Sequence, residues 1–130
     1  MGFKIDHTFQ VLEASLNGST ARQNIIAHNI SNVNTPGFKQ FLVNFEDQLN
    51  DSLINTKLPL KITSSKHISN GDNDLKVTRD TSPGRADGNN VNLETEMTAM
   101  VKNDIYFNAA LNQINKKIAI KKYAISDGRG

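Results

Sequence analysis

The chain has 130 residues, no cysteine and a formal net charge of +2. It has room for one domain, whose core must rest on packing without disulfides or thiolate metal sites. With 37% hydrophobic and 22% charged residues and a mean hydropathy of -0.47, it can order part of itself and leaves the rest dependent on a partner. The mild charge lacks the basic footprint of a nucleic-acid binder, and no apolar run approaches the roughly 20 residues of a membrane span.

The start, Met1-Gly2-Phe3-Lys4-Ile5-Asp6-His7, puts no apolar run after its charge, so it does not read as a secretory signal. From there Ile5, Phe9, Leu12, Leu16, Ser19, Gln23, Ile26, Ile30 and Val33 alternate by four and three residues. That spacing predicts a helix over about 5–34 with a narrow apolar seam. Asn17-Gly18-Ser19 interrupts it with a soft point or bend, since glycine inside a helix costs about 1 kcal/mol relative to alanine. Asn32-Val33-Asn34-Thr35-Pro36-Gly37 then stops the helix, because proline disfavours helical geometry at the residue before it.

The middle, about 38–90, differs in kind. Phe38, Phe41, Val43 and Phe45 stand among charged residues and lead to Leu49, Leu53 and Ile54, a candidate short helix. Beyond Thr56 the segment is rich in Ser, Asn, Gly, Asp, Thr and Lys, with two strand-like runs, Leu58–Thr63 and Leu75–Arg79. Such a segment cannot build its own core and is expected to be poorly ordered in the free chain.

A second helix is predicted over about 91–126. Leu93, Met97, Met100, Asp104, Phe107, Leu111, Ile114, Ile118, Lys121 and Ile125 repeat the four-three alternation, with Asn90 or Asn92 as N-cap. Glu94 and Glu96 near its start and Lys116, Lys117, Lys121 and Lys122 near its end suit the helix dipole. Asp104 is the discordant seam residue, a position where a polar group sets register at some cost in stability. Two seams of this kind cannot stay in water. The fold class is therefore mainly α: two long terminal helices pairing as an antiparallel coiled coil, with the middle carrying short β pieces. Val11, Ala14, Ile25, Ala27, Val101, Ile105, Ala109 and Ala110 flank the seams and widen the apolar faces, which points to packing against further helices.

Signals of chemistry are absent. His7, His28 and His67 lack neighbours at metal-ligand spacing. Asp72-Asn73-Asp74 opens like a calcium loop, but Val77 and Pro83 stand where its glycine and closing glutamate belong. No nucleophile elbow or phosphate-binding loop occurs, so neither catalysis, cofactor, metal nor small-molecule substrate is expected. Asn24, Asn29, Asn32 and Asn34 are the residues that ask for a reason, because asparagine is a poor helix former. An ordinary capped helix end would use one or two of them, so an interface is the favoured reading.

Ile26-Ala27-His28-Asn29-Ile30-Ser31-Asn32-Val33-Asn34-Thr35-Pro36-Gly37-Phe38 resembles the N-terminal motif of the flagellar rod and hook family of axial proteins, with Ser31 where alanine is usual. Asp87-Gly88-Asn89-Asn90-Val91-Asn92-Leu93-Glu94-Thr95-Glu96-Met97 and Ile62-Thr63-Ser64-Ser65-Lys66-His67-Ile68 resemble blocks of the short proximal-rod subgroup of B type, with Asn92 in place of aspartate. The resemblance implies one rod domain over 1–130, a structural subunit of the bacterial flagellar basal body at home in the rod that crosses the cell envelope. It implies export through the flagellar type III apparatus without a cleaved signal peptide, and assembly by helix packing into the shaft that carries torque from motor ring to hook. Partners would be the other proximal rod proteins, the hook-basal-body adaptor, the membrane ring protein and the export apparatus.

The expected assembly interface is Asn24, Ala27, Asn29, Ile30, Asn32, Asn34, Thr35, Pro36, Gly37 and Phe38, with Leu93, Met97, Met100, Phe107, Leu111, Ile114 and Ile118 as the C-terminal seam. Bulky replacements at Asn29, Asn32 or Gly37 are expected to block motility with expression intact. The alternative is a soluble helical adaptor or export chaperone that holds a client helix in its apolar groove.

Overall fold

The computed structural model describes residues 7–46, 50 and 76–127. Helix α1 runs His7–Ser31, strand β1 Phe41–Asn44, strand β2 Lys76–Arg79 and helix α2 Leu93–Asp127. β1 and β2 form a two-stranded antiparallel sheet in which Phe41 pairs with Arg79 and Asn44 with Lys76. The second strand-like run thus forms β2. The Leu58–Thr63 run and the candidate helix around Leu53 lie outside the described residues, as does Ile5. Among those that are described, no helix is long and apolar enough to cross a membrane.

The helices pack antiparallel. Asn29 near the end of α1 meets Glu96 in the first turn of α2. Ser19 and Gln23 meet Asn103, and Phe9 near the start of α1 lies under Lys121. α1 ends where expected. Its last bonds tighten to three-residue spacing, Asn32 N–H to Asn29 O and Val33 N–H to Ile30 O, and Gly37 then takes a left-handed φ of 72°, which costs glycine nothing. α2 begins with Asn92 as its N-cap: the side-chain oxygen accepts the Thr95 N–H at 3.2 Å, a contact worth about 1 kcal/mol.

Two expectations need correction. α1 continues unbroken through Asn17-Gly18-Ser19. Gly18 is buried because Phe45 lies flat against it: a Cβ there would sit 2.8 Å from two ring atoms. The glycine permits a close approach, where the sequence suggested softness. On α2 the seam facing α1 is also turned relative to the one read. Met100, Phe107, Ile114 and Lys121 are half-buried as the spacing implied. The alternate places, however, are taken by Glu96, Asn103, Ala110 and Lys117, while Asp104 is exposed. The reason is that α2 meets α1 through hydrogen bonds as much as through apolar area.

Among the described residues the buried apolar side chains are few, Ala14, Ile26, Phe45 and Val91, and the buried polar ones, Ser19, Asn29, Asn89, Glu96 and Asn103, outnumber them. α1 is the central element. One flank carries α2, and the other carries β1 and Phe45.

Candidate assembly interface

Two stretches of sequence far apart in the chain close on each other at the C-terminal end of α1, and asparagine side chains do the closing. Asn29 is 1% exposed. Its Nδ2 donates to the Phe41 carbonyl at 2.8 Å and its Oδ1 accepts the Phe41 N–H at 2.9 Å, so one amide stands in for a strand residue and satisfies the outer edge of β1. The same Nδ2 donates to Glu96 Oε2 at 3.2 Å. Helix, sheet and second helix meet on this one side chain.

Asn89 is completely buried and serves the helix end. Its Nδ2 faces the carbonyls of Asn32, Val33 and Thr35 at 2.9, 3.0 and 2.9 Å, in the turn that follows α1. Its Oδ1 accepts the Val91 N–H at 2.8 Å. The Arg85 guanidinium also donates to the Val33 carbonyl. Asn90 ties the same loop to the sheet, with Oδ1 accepting the Gln40 N–H at 2.7 Å and Nδ2 donating to the Asp80 carbonyl at 3.1 Å. Gly84 lies so close to the Asn89 carbonyl that a Cβ would come within 2.3 Å of it. The two left-handed glycines, Gly37 and Gly88, lie side by side, and Gly37 N–H donates to the Asp87 carbonyl at 2.8 Å.

Around this polar junction sits an aromatic group. His28, Phe38 and Phe41 have ring centroids 5.6 to 5.9 Å apart; Phe38 meets both other rings edge-on, a geometry that favours the pairs beyond their area alone, and the Arg79 guanidinium lies 4.7 Å above the Phe41 ring. Two turns earlier on the same face of α1, Arg22 stacks over Phe45 at 4.5 Å and reaches both Glu46 carboxylate oxygens at 2.6 Å. Desolvation acts against the charged form of Glu46, yet the Arg22 hydrogen bond and charge, with backbone hydrogen bonds at Glu46 and Phe45, outweigh it and hold that carboxyl below its usual range. Glu96 has the opposite balance. Burial pushes its carboxyl above the usual range, and only the Asn29 hydrogen bond opposes the shift.

The residues singled out in the sequence divide into two kinds. Asn29 is buried, and Ile30, Asn32 and Phe38 are half-buried and engaged within the chain, Asn32 donating to the His28 carbonyl at 2.8 Å. Asn24, Ala27, Asn34, Thr35, Pro36 and Gly37 are exposed. Of the C-terminal set, Met100, Phe107 and Ile114 are half-buried against α1, and Leu93, Met97, Leu111 and Ile118 are exposed. Asn89, Asn90 and Gly84 carry as much of the junction as the N-terminal motif does, and they were not among the expected site residues. The signal available for them was the Asp87-Gly88-Asn89-Asn90 run, read there as the approach to a helix.

Residues 9–39, which are α1 and its terminal turn, match the family described as flagella basal body rod protein. The chain is 31% identical over 128 residues to the flagellar basal body rod protein FlgB of Buchnera aphidicola from Acyrthosiphon pisum, covering 94% of this chain and 96% of that protein. It is 30% identical over 126 residues to FlgB of Bacillus subtilis, covering 94% and 95%. The chain belongs to the FlgB family of flagellar basal body rod proteins. FlgB of Borreliella burgdorferi is 34% identical over 103 residues, 70% of this chain and 75% of that protein. FlgB proteins carry the name of a rod component, which agrees with the non-enzymatic reading and places the chain in the basal body.

The junction leaves a row of apolar side chains outside. Leu93, Met97, Val101 and Ile105 follow one another at four-residue steps up α2 and are 43, 56, 61 and 65% exposed. Leu111, Ile118, Ile120 and Ile125 continue the exposed apolar side chains toward the C-terminus. A surface of this kind marks a protein contact more often than bare solvent.

Proposed function

We propose that this chain is a structural subunit of the proximal rod that assembles through the apolar row on α2 and passes torque from the motor ring toward the hook. The observation carrying the proposal is the exposure of Leu93, Met97, Val101 and Ile105 on one helix, in a chain whose relatives are rod proteins. Residues 1–130 act as one rod domain in this reading. The asparagine junction fixes the angle at which α2 leaves α1, so a row of side chains is presented on a rigid scaffold. The neighbours it meets are other proximal rod proteins and the hook-basal-body adaptor, with the membrane ring protein and export apparatus at the base. Stiffness in torsion then comes from many shallow helix contacts acting in parallel.

The test is Val101→Asp combined with Ile105→Asp, introduced into a host that lacks its own copy. Both sites are exposed, so circular dichroism of the free chain should be unchanged. A charge buried in an assembled contact is strongly unfavourable, so swimming and recovery of the chain in purified basal bodies should both be lost. Normal swimming with normal incorporation rejects the row as the assembly surface. The adaptor reading gains if both are normal and the variant instead loses a soluble client.

A further inference from the structure

Both buried residues of α2 are polar, Glu96 and Asn103, while Leu93, Met97, Val101, Ile105, Leu111 and Ile118 on the same helix are exposed. Burial of apolar area alone gives the reverse arrangement. α2 carries two overlapping seven-residue stripes that share Met100, Phe107, Ile114 and Lys121. One stripe is completed by Glu96, Asn103, Ala110 and Lys117, the other by Met97, Asp104, Leu111 and Ile118. The second is the more apolar, and the chain buries the first against α1.

The hydrogen bonds account for the choice. Asn103 Nδ2 donates to the Ser19 carbonyl at 2.8 Å and to Gln23 Oε1 at 2.9 Å. Glu96 receives the amide of Asn29, which is itself fixed by both backbone groups of Phe41. Turning α2 by one residue would bring Asp104 toward the place of Asn103. An ionised carboxylate only accepts, so it would face the Ser19 carbonyl with no proton to offer, and Met97 could give Asn29 no strong acceptor. The arrangement has a cost: among the described residues the buried Asn103 Oδ1 has no hydrogen-bond partner, and such an atom asks for a reason to keep the side chain.

We propose that Asn103 and Glu96, with Asp104 disfavouring the alternative, select which face of α2 meets α1. By doing so they keep the apolar row free for a neighbouring subunit. The face selection is a property of the free chain, and only its purpose rests on the assembly reading above. A polar residue in a helix seam that sets register at the expense of stability is the physical precedent.

Because the chain contains no cysteine, introduced thiols report without interference. Leu16 lies on α1 between Phe9 and Ser19, level with the part of α2 that carries Ala110 and Leu111. Leu16→Cys is paired in separate full-length chains with Ala110→Cys or with Leu111→Cys, and the yield of oxidative crosslink is compared. In the otherwise unchanged sequence the Ala110 pair should dominate. Adding Asn103→Leu and Asp104→Leu should shift the ratio toward the Leu111 pair by about tenfold, the scale on which one buried polar contact biases a two-state choice. Asp104→Asn alone changes an exposed residue, leaves the fold intact, and should move the ratio in the same direction by supplying a donor on the second stripe. An unchanged ratio in both backgrounds overturns the selector. Since the readout uses the free chain, loss or survival of basal-body incorporation is scored separately, and failure of the assembly reading cannot be mistaken for failure of this one.

Discussion

The junction at the end of α1 and the outer face of α2 are built on opposite terms. At the junction nearly every polar group of Asn29, Asn89 and Asn90 has a partner inside the chain, and loops are pressed together so closely that Gly84 has no space for a side chain. On the outer face of α2 large apolar side chains stand exposed. The first region is finished and the second is not. A motif dense in asparagine therefore marks the place where the fold is locked, and the surface left for a neighbour lies on a helix whose sequence reads as a plain coiled-coil stripe.

The contrast is broken most severely at Asn89. Replacing it with Leu removes the amide that donates to three carbonyls at the end of α1 and leaves the N–H of buried Val91 without its acceptor. Each unsatisfied buried group costs about 1–3 kcal/mol, so a loss on the order of 3 kcal/mol is expected in denaturant unfolding. A loss below about 1 kcal/mol would show that the Val91 N–H finds water, and that the junction is less closed than its geometry indicates. Asn29 belongs to the same class. Its bulky variants are expected from the sequence to block motility with expression intact; buried between α1, β1 and α2, the residue acts on the stability of this chain first.

Gly18→Ala probes the other flank of α1 with a smaller effect. Alanine gains about 1 kcal/mol of helix propensity over glycine, but its Cβ would meet the Phe45 ring at 2.8 Å. Overpacking of this kind costs about 1–3 kcal/mol, so a net destabilisation of about 1 kcal/mol is expected, together with loosening of Phe45 visible as increased protease cleavage just after it. A stabilised variant would mean that the ring slides aside freely, and that Gly18 is where α1 tolerates softness after all.

How much of this was legible in the sequence follows from which forces a pattern encodes. Helix spacing reports apolar periodicity, and it located both helices; turn and cap residues added the stop of α1 before Pro36 and the choice of Asn90 or Asn92 as the cap of α2, of which the structure uses Asn92. It could not choose between two stripes of α2 that share Met100, Phe107 and Ile114, because the choice is made by Asn103 and Glu96, residues that periodicity counts against a seam. The role of Gly18 was hidden for a related reason: a glycine that accommodates an aromatic ring 27 positions later looks the same as one that weakens a helix. Asn89 depended on a contact across more than fifty residues of chain, and nothing local announces it.

The smallest expected effect sharpens the comparison at the point where junction and helix pair meet. Glu96 is 5% exposed, its hydrogen bond comes from a neutral amide, and no ion pair among the described residues involves it. Burial therefore raises its carboxyl above the ordinary value of 4.5. A group raised in the folded state contributes stability that is fully present below its unfolded value and is lost as pH rises through its folded value. Glu46 and Asp80 are lowered in the fold, Glu46 by Arg22 against its own desolvation and Asp80 by the backbone of Ser82. They act in the opposite sense, losing their contribution as pH falls, so the wild-type curve alone mixes both signs. Glu96→Gln separates them, since glutamine resembles the protonated acid and does not titrate. The stability gained by the variant over the wild type should be largest near neutral pH and should shrink as pH falls toward 4.5, as the wild-type carboxyl takes up its proton. Parallel curves for the two chains would mean that the Glu96 carboxylate stays solvated in the fold, and the buried polar contact between Asn29 and α2 would then be weaker than its burial implies.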